Sequence, residues 1–153
     1  MSLDDDIAFF RQVPLFAALD KEAVRILAIG AETRTYQNGA VLFYAGDLAD
    51  GGYIVLDGTL SLASGSYAED SERIVGPGTL VGELAMLTDM VWQFTAVARQ
   101  PVSVVRITRN LFRKMLEGYP ATAVTLRDVI ASRLDEWQGE LNTVKKLMEK
   151  GGG

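Results

Sequence analysis

The sequence predicts a mainly β domain with flanking helices, and three observations carry that reading. From Glu32 to Ile107, short β-rich runs alternate with turn signals every few residues. On either side the pattern turns helical, with capping residues and apolar positions three and four apart. The length, 153 residues, suits one hydrophobic core. Many short strands at close spacing mean an antiparallel sandwich or barrel. A single domain is expected over residues 1–150, with helices in 1–31, strands in 32–107, helices in 108–150 and a flexible tail at 151–153.

Taken in order, "DDDIAFFR" (residues 4–11) reads as a short helix with acids at its positive end. "PLFAALD" (14–20) reads as a turn, with Asp20 the N-cap of a helix over "KEAVRILAIG" whose buried side is Ile26, Leu27 and Ile29. The strand runs follow: "ETRTY", "AVLFY", "YIVL", "TLSLA", "RIV", "TLVG", "FTAVA" and "VSVVRI". Asp57-Gly58 between two apolar runs predicts a two-residue hairpin, and Asn38-Gly39 gives the same signal more weakly. Asp47 and Asp50 shape the turn before "YIVL". After Thr108, a candidate N-cap, "RNLFRKMLEGYP" is a short helix stopping at Gly118.

Residues 121–150 then run without proline. Their apolar positions are Ala123, Leu126, Ile130, Leu134, Trp137, Leu141, Val144 and Met148, one stripe at helical spacing. Such a helix is about 45 Å long and outruns a domain of this size. Its stripe either folds back on the sandwich or pairs with its own copy. The expectation is a homodimer with Leu126, Ile130, Leu134, Trp137, Leu141 and Val144 in the seam.

Composition removes several function classes. There are no cysteines, which fits a reducing, cytoplasmic setting and rules out thiolate metal sites. There are no histidines, which removes Ser–His and Cys–His nucleophiles and the commonest general base. No catalytic constellation and no metal site are expected. The net charge of −5 argues against nucleic-acid binding by this chain alone, since that affinity is largely cationic. No apolar run is long enough for a membrane span.

One stretch carries a contradiction. "GPGTLVGELAML" (76–87) has three glycines leading into a short apolar turn at Glu83, an arrangement that lets backbone N–H groups crowd toward an anion. Yet from Ile74 through Ala98 there is no lysine or arginine.

The segments "NGAVLFYAGDLADGGYIVLDGTLSLA", "IVGPGTLVGELAML" and "TAVARQPVSVVRI", in that order, resemble the cyclic-nucleotide-binding domain family of catabolite activator and FNR-type bacterial regulators, kinase regulatory subunits and gated channels. The landmarks run from Gly39 through Gly46-Asp47, Asp50, Gly58, Gly78 and Gly82-Glu83-Leu84-Ala85 to Thr95. The resemblance implies a jelly-roll-like β-roll followed by a long C-terminal dimerisation helix. It makes 76–87 a phosphate-binding cassette for a cyclic nucleotide or related small metabolite, with Glu83 on the ribose hydroxyl and the backbone at Gly82, Leu84 and Ala85 on the phosphate. Thr95 falls in the same ligand-binding set. The family's phosphate-binding arginine aligns with Trp92, or with Gln93 after a one-residue slip, so the cradle lacks its cation. Trp92 could fill the phosphate space or stack on a ligand. The base-contacting region aligns with Trp137 and Gln138.

Three functions fit these residues: a non-enzymatic sensor with weakened affinity for cyclic AMP and cyclic GMP, a degenerate dimerisation or protein-interaction module, and the sensor fragment of a DNA-binding regulator.

Overall fold

The computed structural model describes residues 2–64, 72–126 and 128–129. Helix α1 (Leu3–Phe10) begins with Ser2 and Asp5 exchanging side-chain and backbone hydrogen bonds, and carries acids in its first turn. "PLFAALD", expected to be a turn, contains one turn of helix, α2 (Pro14–Ala17), opened by proline at its first position. Helix α3 (Lys21–Gly30) starts after Asp20, but the Asp20 carboxylate accepts from the Thr122 hydroxyl and leaves the helix end uncapped by a side chain. Its buried side is Ala23, Val24 and Leu27, whereas Ile29 is exposed, because the inward arc at 100° per residue is centred on Val24 and Leu27.

Among the described residues ten strands follow: β1 (Glu32–Tyr36), β2 (Val41–Phe43), β3 (Leu48–Ala49), β4 (Gly51–Asp57), β5 (Leu60–Ser64), β6 (Glu72–Val75), β7 (Leu80–Val81), β8 (Met90–Val91), β9 (Phe94–Ala98) and β10 (Val102–Thr108). They form two antiparallel four-stranded sheets, β1-β10-β4-β7 and β2-β9-β5-β6, and a small β3-β8 ribbon. Helix α4 (Arg109–Gly118) is capped by Thr108, whose side chain accepts from the Leu111 N–H, and the chain is helical again from 120 to 126.

Asp57-Gly58 does not make a hairpin. Strands β4 and β5 lie in different sheets, so the dipeptide is a corner between them. Gly58 has the positive φ that the turn signal demands, but a Cβ there would stand 2.5 Å from the Pro101 carbonyl oxygen. Turn chemistry and packing against the β9–β10 connection together set the bend. The β1–β2, β6–β7 and β9–β10 connections also change sheets, and by strand direction all four corners lie at one end of the roll. Hydrogen bonds extend the ladders of each sheet into these corners, Gly39 N–H to Ala98 O (2.7 Å) beside β9 and Gly78 N–H to Val55 O (2.8 Å) beside β4, and Arg99 N–H to Thr59 O (3.1 Å) joins two of them.

Alternation along the strands builds two cores. Ile54, Val105 and Ile107 face the helices with Phe10, Phe16, Leu27, Phe112 and Met115. Tyr53, Val55 and Val104 face the second sheet with Leu60, Leu62, Val75, Ala96 and Ala98. Leu126, expected in a dimer seam, is 1% exposed and belongs to the helix-side core of its own chain. The stripe of the C-terminal helix therefore begins by folding back on α4 and the N-terminal helices. Ile130, Leu134, Trp137, Gln138, Leu141 and Val144, with the rest of the expected seam, base contacts and tail, lie outside the described residues.

Candidate functional site

A cavity of about 520 Å³ extends from Thr79, in the β6–β7 corner, to the turn after β7 at the opposite end of the roll. Its walls come from β5 and β6 (Leu62, Ser64, Arg73, Val75), from β7 and the turn after it, and from Met90, Trp92, Gln93 and Phe94. The glycine-rich stretch supplies Gly82, Glu83 and Leu84 to its lining, and the arginine position of the resemblance supplies Trp92 and Gln93. Thr95 does not line it. Strand alternation turns Thr95 to the other face of β9, where its hydroxyl accepts from the Ala45 N–H at 2.9 Å. Ala85 is fully buried behind the cavity, and its N–H is bonded to the Gly82 carbonyl in the 3₁₀ turn Leu84–Met86, so that donor is not aimed at a ligand.

Trp92 decides the character of the site. Its backbone extends the β3-β8 ribbon, donating to Asp47 O (2.9 Å) and accepting from Gly46 N–H (2.8 Å). Val91 therefore faces out and Trp92 faces in, only 5% exposed. The indole lies flat on Phe43, ring centroids 3.7 Å apart and planes 11° from parallel, with Tyr53 and Phe94 around it. Burial pushes the Tyr53 phenol up, so this cluster is uncharged at neutral pH. The far edge of the indole covers Gly82. A Cβ on Gly82 would sit 2.5 Å from Trp92 Cη2. The backbone that an anion would approach is thus roofed by an aromatic ring. Gln93, the other aligned position, is exposed and gives its amide N–H to the Val91 carbonyl at 3.2 Å.

Two residues near the site escaped sequence reading. Arg109, the first residue of α4, donates from Nε to Ala85 O (3.0 Å) and from Nη2 to Ala49 O (2.5 Å), while Nη1 pairs with Asp89. One guanidinium thus joins the 3₁₀ turn, the β3-β8 ribbon and the helix that follows the roll. Replacing it by lysine keeps the charge but not the fork. Arg109→Lys is expected to cost about 1.5–3 kcal/mol, the worth of hydrogen bonds to a charged group. Thermal unfolding measures this, and an unchanged melt would mean that the clamp carries no stability. The second is Arg73, which stands one residue outside the cation-free stretch. Pairing of β6 with β5 sets it opposite Leu62, on the inner face.

A family model described as the cyclic nucleotide-binding domain matches residues 33–119. The chain belongs to the cyclic nucleotide-binding domain family. The domain is 30% identical over 132 residues to the cyclic AMP receptor protein of Thermus thermophilus, covering 84% of this chain and 61% of that receptor. It thus spans about three fifths of the length of that curated relative. Among solved structures, a cyclic nucleotide-binding-like protein from Brucella abortus superposes with a TM-score of 0.65 at 38% identity, over 74% of this domain and 99% of that chain. The N-terminal domain of a transcriptional regulator from Streptomyces coelicolor superposes with a TM-score of 0.76 at 31% identity, over 84% and 93%. The β-roll expected from the resemblance is the fold observed.

Proposed function

We propose that the domain is a non-enzymatic sensor in which a ligand held in the β-roll cavity biases the C-terminal helices, and that its affinity for cyclic AMP and cyclic GMP is weak. The observation behind the weakness is Trp92. In place of an arginine–phosphate fork, a charge-assisted contact, an indole stacked on Phe43 covers Gly82. Coupling to the helices is assigned to Arg109, because it bonds the turn on which the cavity's Glu83 and Leu84 sit and begins α4. A ligand shifts those helices only as far as it prefers one arrangement of this clamp over another. On this reading the domain works in the cytoplasm and pairs with its own copy through the C-terminal helix.

A titration with cyclic AMP and cyclic GMP, followed by melting temperature, tests the weakness. Ligand at 100 times its dissociation constant stabilises by about 2.7 kcal/mol, several degrees for a domain of this size. The expected result is a flat melt up to about millimolar nucleotide. A saturable rise at micromolar nucleotide would overturn the reading.

A second reading, the sensor part of a longer DNA-binding regulator, is favoured by one observation: the domain covers 93% of the N-terminal domain of the Streptomyces transcriptional regulator at 31% identity.

A further inference from the structure

The cavity is not without positive charge; its cation stands on a different wall. Arg73 is the Cα partner of Leu62, and Leu62 and Val75, on either side of it on that face, are buried in the core between the sheets. Alternation therefore turns Arg73 inward, and it lines the cavity. Arg34, Arg99, Arg106 and Arg109 all pair with carboxylates; Arg73 pairs with none among the described residues. Arg99 is tied to Glu72 on the opposite face of the same sheet, where hydrogen bonds from Ser61 and Arg99 hold the Glu72 carboxylate below its usual range. Arg73 is the only cation among the described residues that line the cavity.

The rest of the lining limits what that cation can hold. Most of it is apolar, with Leu62, Leu84, Met90, Trp92 and Phe94 presenting flat or aliphatic surface. Among the described lining residues, Glu83 contributes the one carboxylate. With one guanidinium among the described lining residues, a second negative charge on a ligand would be left unpaired, and burying an unpaired charge is costly. The volume falls in the range of small-molecule sites.

From the wall position of Arg73 and the roof that Trp92 puts over Gly82, we infer that the cavity takes a small monoanion with an apolar, ring-sized body, its acidic group on Arg73 rather than on the glycine-rich turn. This rests on the sensor reading and names the class of its ligand. The body packs against Trp92 and Phe94.

The probe is 2-naphthoate, with uncharged 2-naphthalenemethanol as its neutral counterpart. Both are titrated by calorimetry into the full chain and into Arg73→Gln. Arg73 is exposed at the cavity mouth, so the variant is expected to melt with the wild type in the absence of ligand. The expected result is naphthoate binding to the wild type, loss of about tenfold or more in Arg73→Gln, and equal binding of the alcohol to both. Equal naphthoate affinity in the two proteins, or none in the wild type, would overturn the inference. A parallel titration with cyclic AMP separates the two ideas. Tight cyclic AMP binding that survives Arg73→Gln sinks both. Tight binding that disappears in Arg73→Gln sinks only the weakness for cyclic nucleotides and keeps Arg73 as the anion site. A flat cyclic AMP response with unchanged naphthoate binding sinks only the role of Arg73.

Discussion

Trp92→Arg is expected to lower the melting temperature by about 10 °C or more, and not to create a cyclic-phosphate site. By alignment the substitution supplies the one residue that the cradle lacks. In the folded domain the position is 5% exposed, and its ring is one layer of a stack with Phe43 at 3.7 Å. Truncating such a tryptophan costs about 3–5 kcal/mol, and a guanidinium among Phe43, Tyr53 and Phe94 adds the cost of a buried charge without a partner. At roughly 2–4 °C per kcal/mol for a domain of this size, the loss is visible in any thermal scan. A variant melting within a few degrees of wild type would show that the arginine reaches solvent and that the aromatic stack is dispensable. Restoring the family's phosphate contact would then need only this one change.

Gly82→Ala is expected to destabilise the domain and to displace the same indole. Gly82 has φ +86°, a conformation that costs a side-chain-bearing residue about 1–3 kcal/mol. The added Cβ would also stand 2.5 and 2.8 Å from Trp92 Cη2 and Cζ3, and 3.1 Å from the Gly51 carbonyl oxygen. The ring cannot slide away freely, because Phe43 lies parallel against it. The melt should fall by several degrees and the tryptophan emission shift to the red as Trp92 becomes wetter. A lower melt with unchanged emission would assign the cost to the backbone alone and free Trp92 from its role as the roof over Gly82.

The strands were legible because β-rich runs stand between turn residues, and β1, β4, β5, β9 and β10 fall where those runs stand. Their partners were less so. Asp57-Gly58 fixes a backbone angle at Gly58, and that angle serves a corner as well as a hairpin. Which sheet β5 joins depends on contacts with residues some forty positions later, at Arg99 to Pro101. The cassette showed the same division. Gly82 and Glu83, which the resemblance placed in the cassette, do line the cavity. In "MVWQF", by contrast, nothing local says whether Val91 or Trp92 turns inward. That is settled by the bonds of Trp92 to Gly46 and Asp47. Arg73 was missed for a related reason: it belongs to no motif, and only the pairing of β6 with β5 brings it to the cavity. Leu126 had the periodicity of a seam residue, but the same periodicity serves burial against Phe112 and Met115 within one chain.

The four corners also govern which shapes the cavity can admit. At that end the chain itself crosses from one sheet to the other four times, and these covalent corners fix the separation of the two sheets. At the other end the ribbon, the 3₁₀ turn and α4 meet through one guanidinium. A purse sewn along one edge and fastened by a single clasp can lengthen its opening but not its seam. Discrimination should therefore be strict for the thickness of a guest, which both sheets gauge, and lenient for its length, since a tail can extend past the clasp into water.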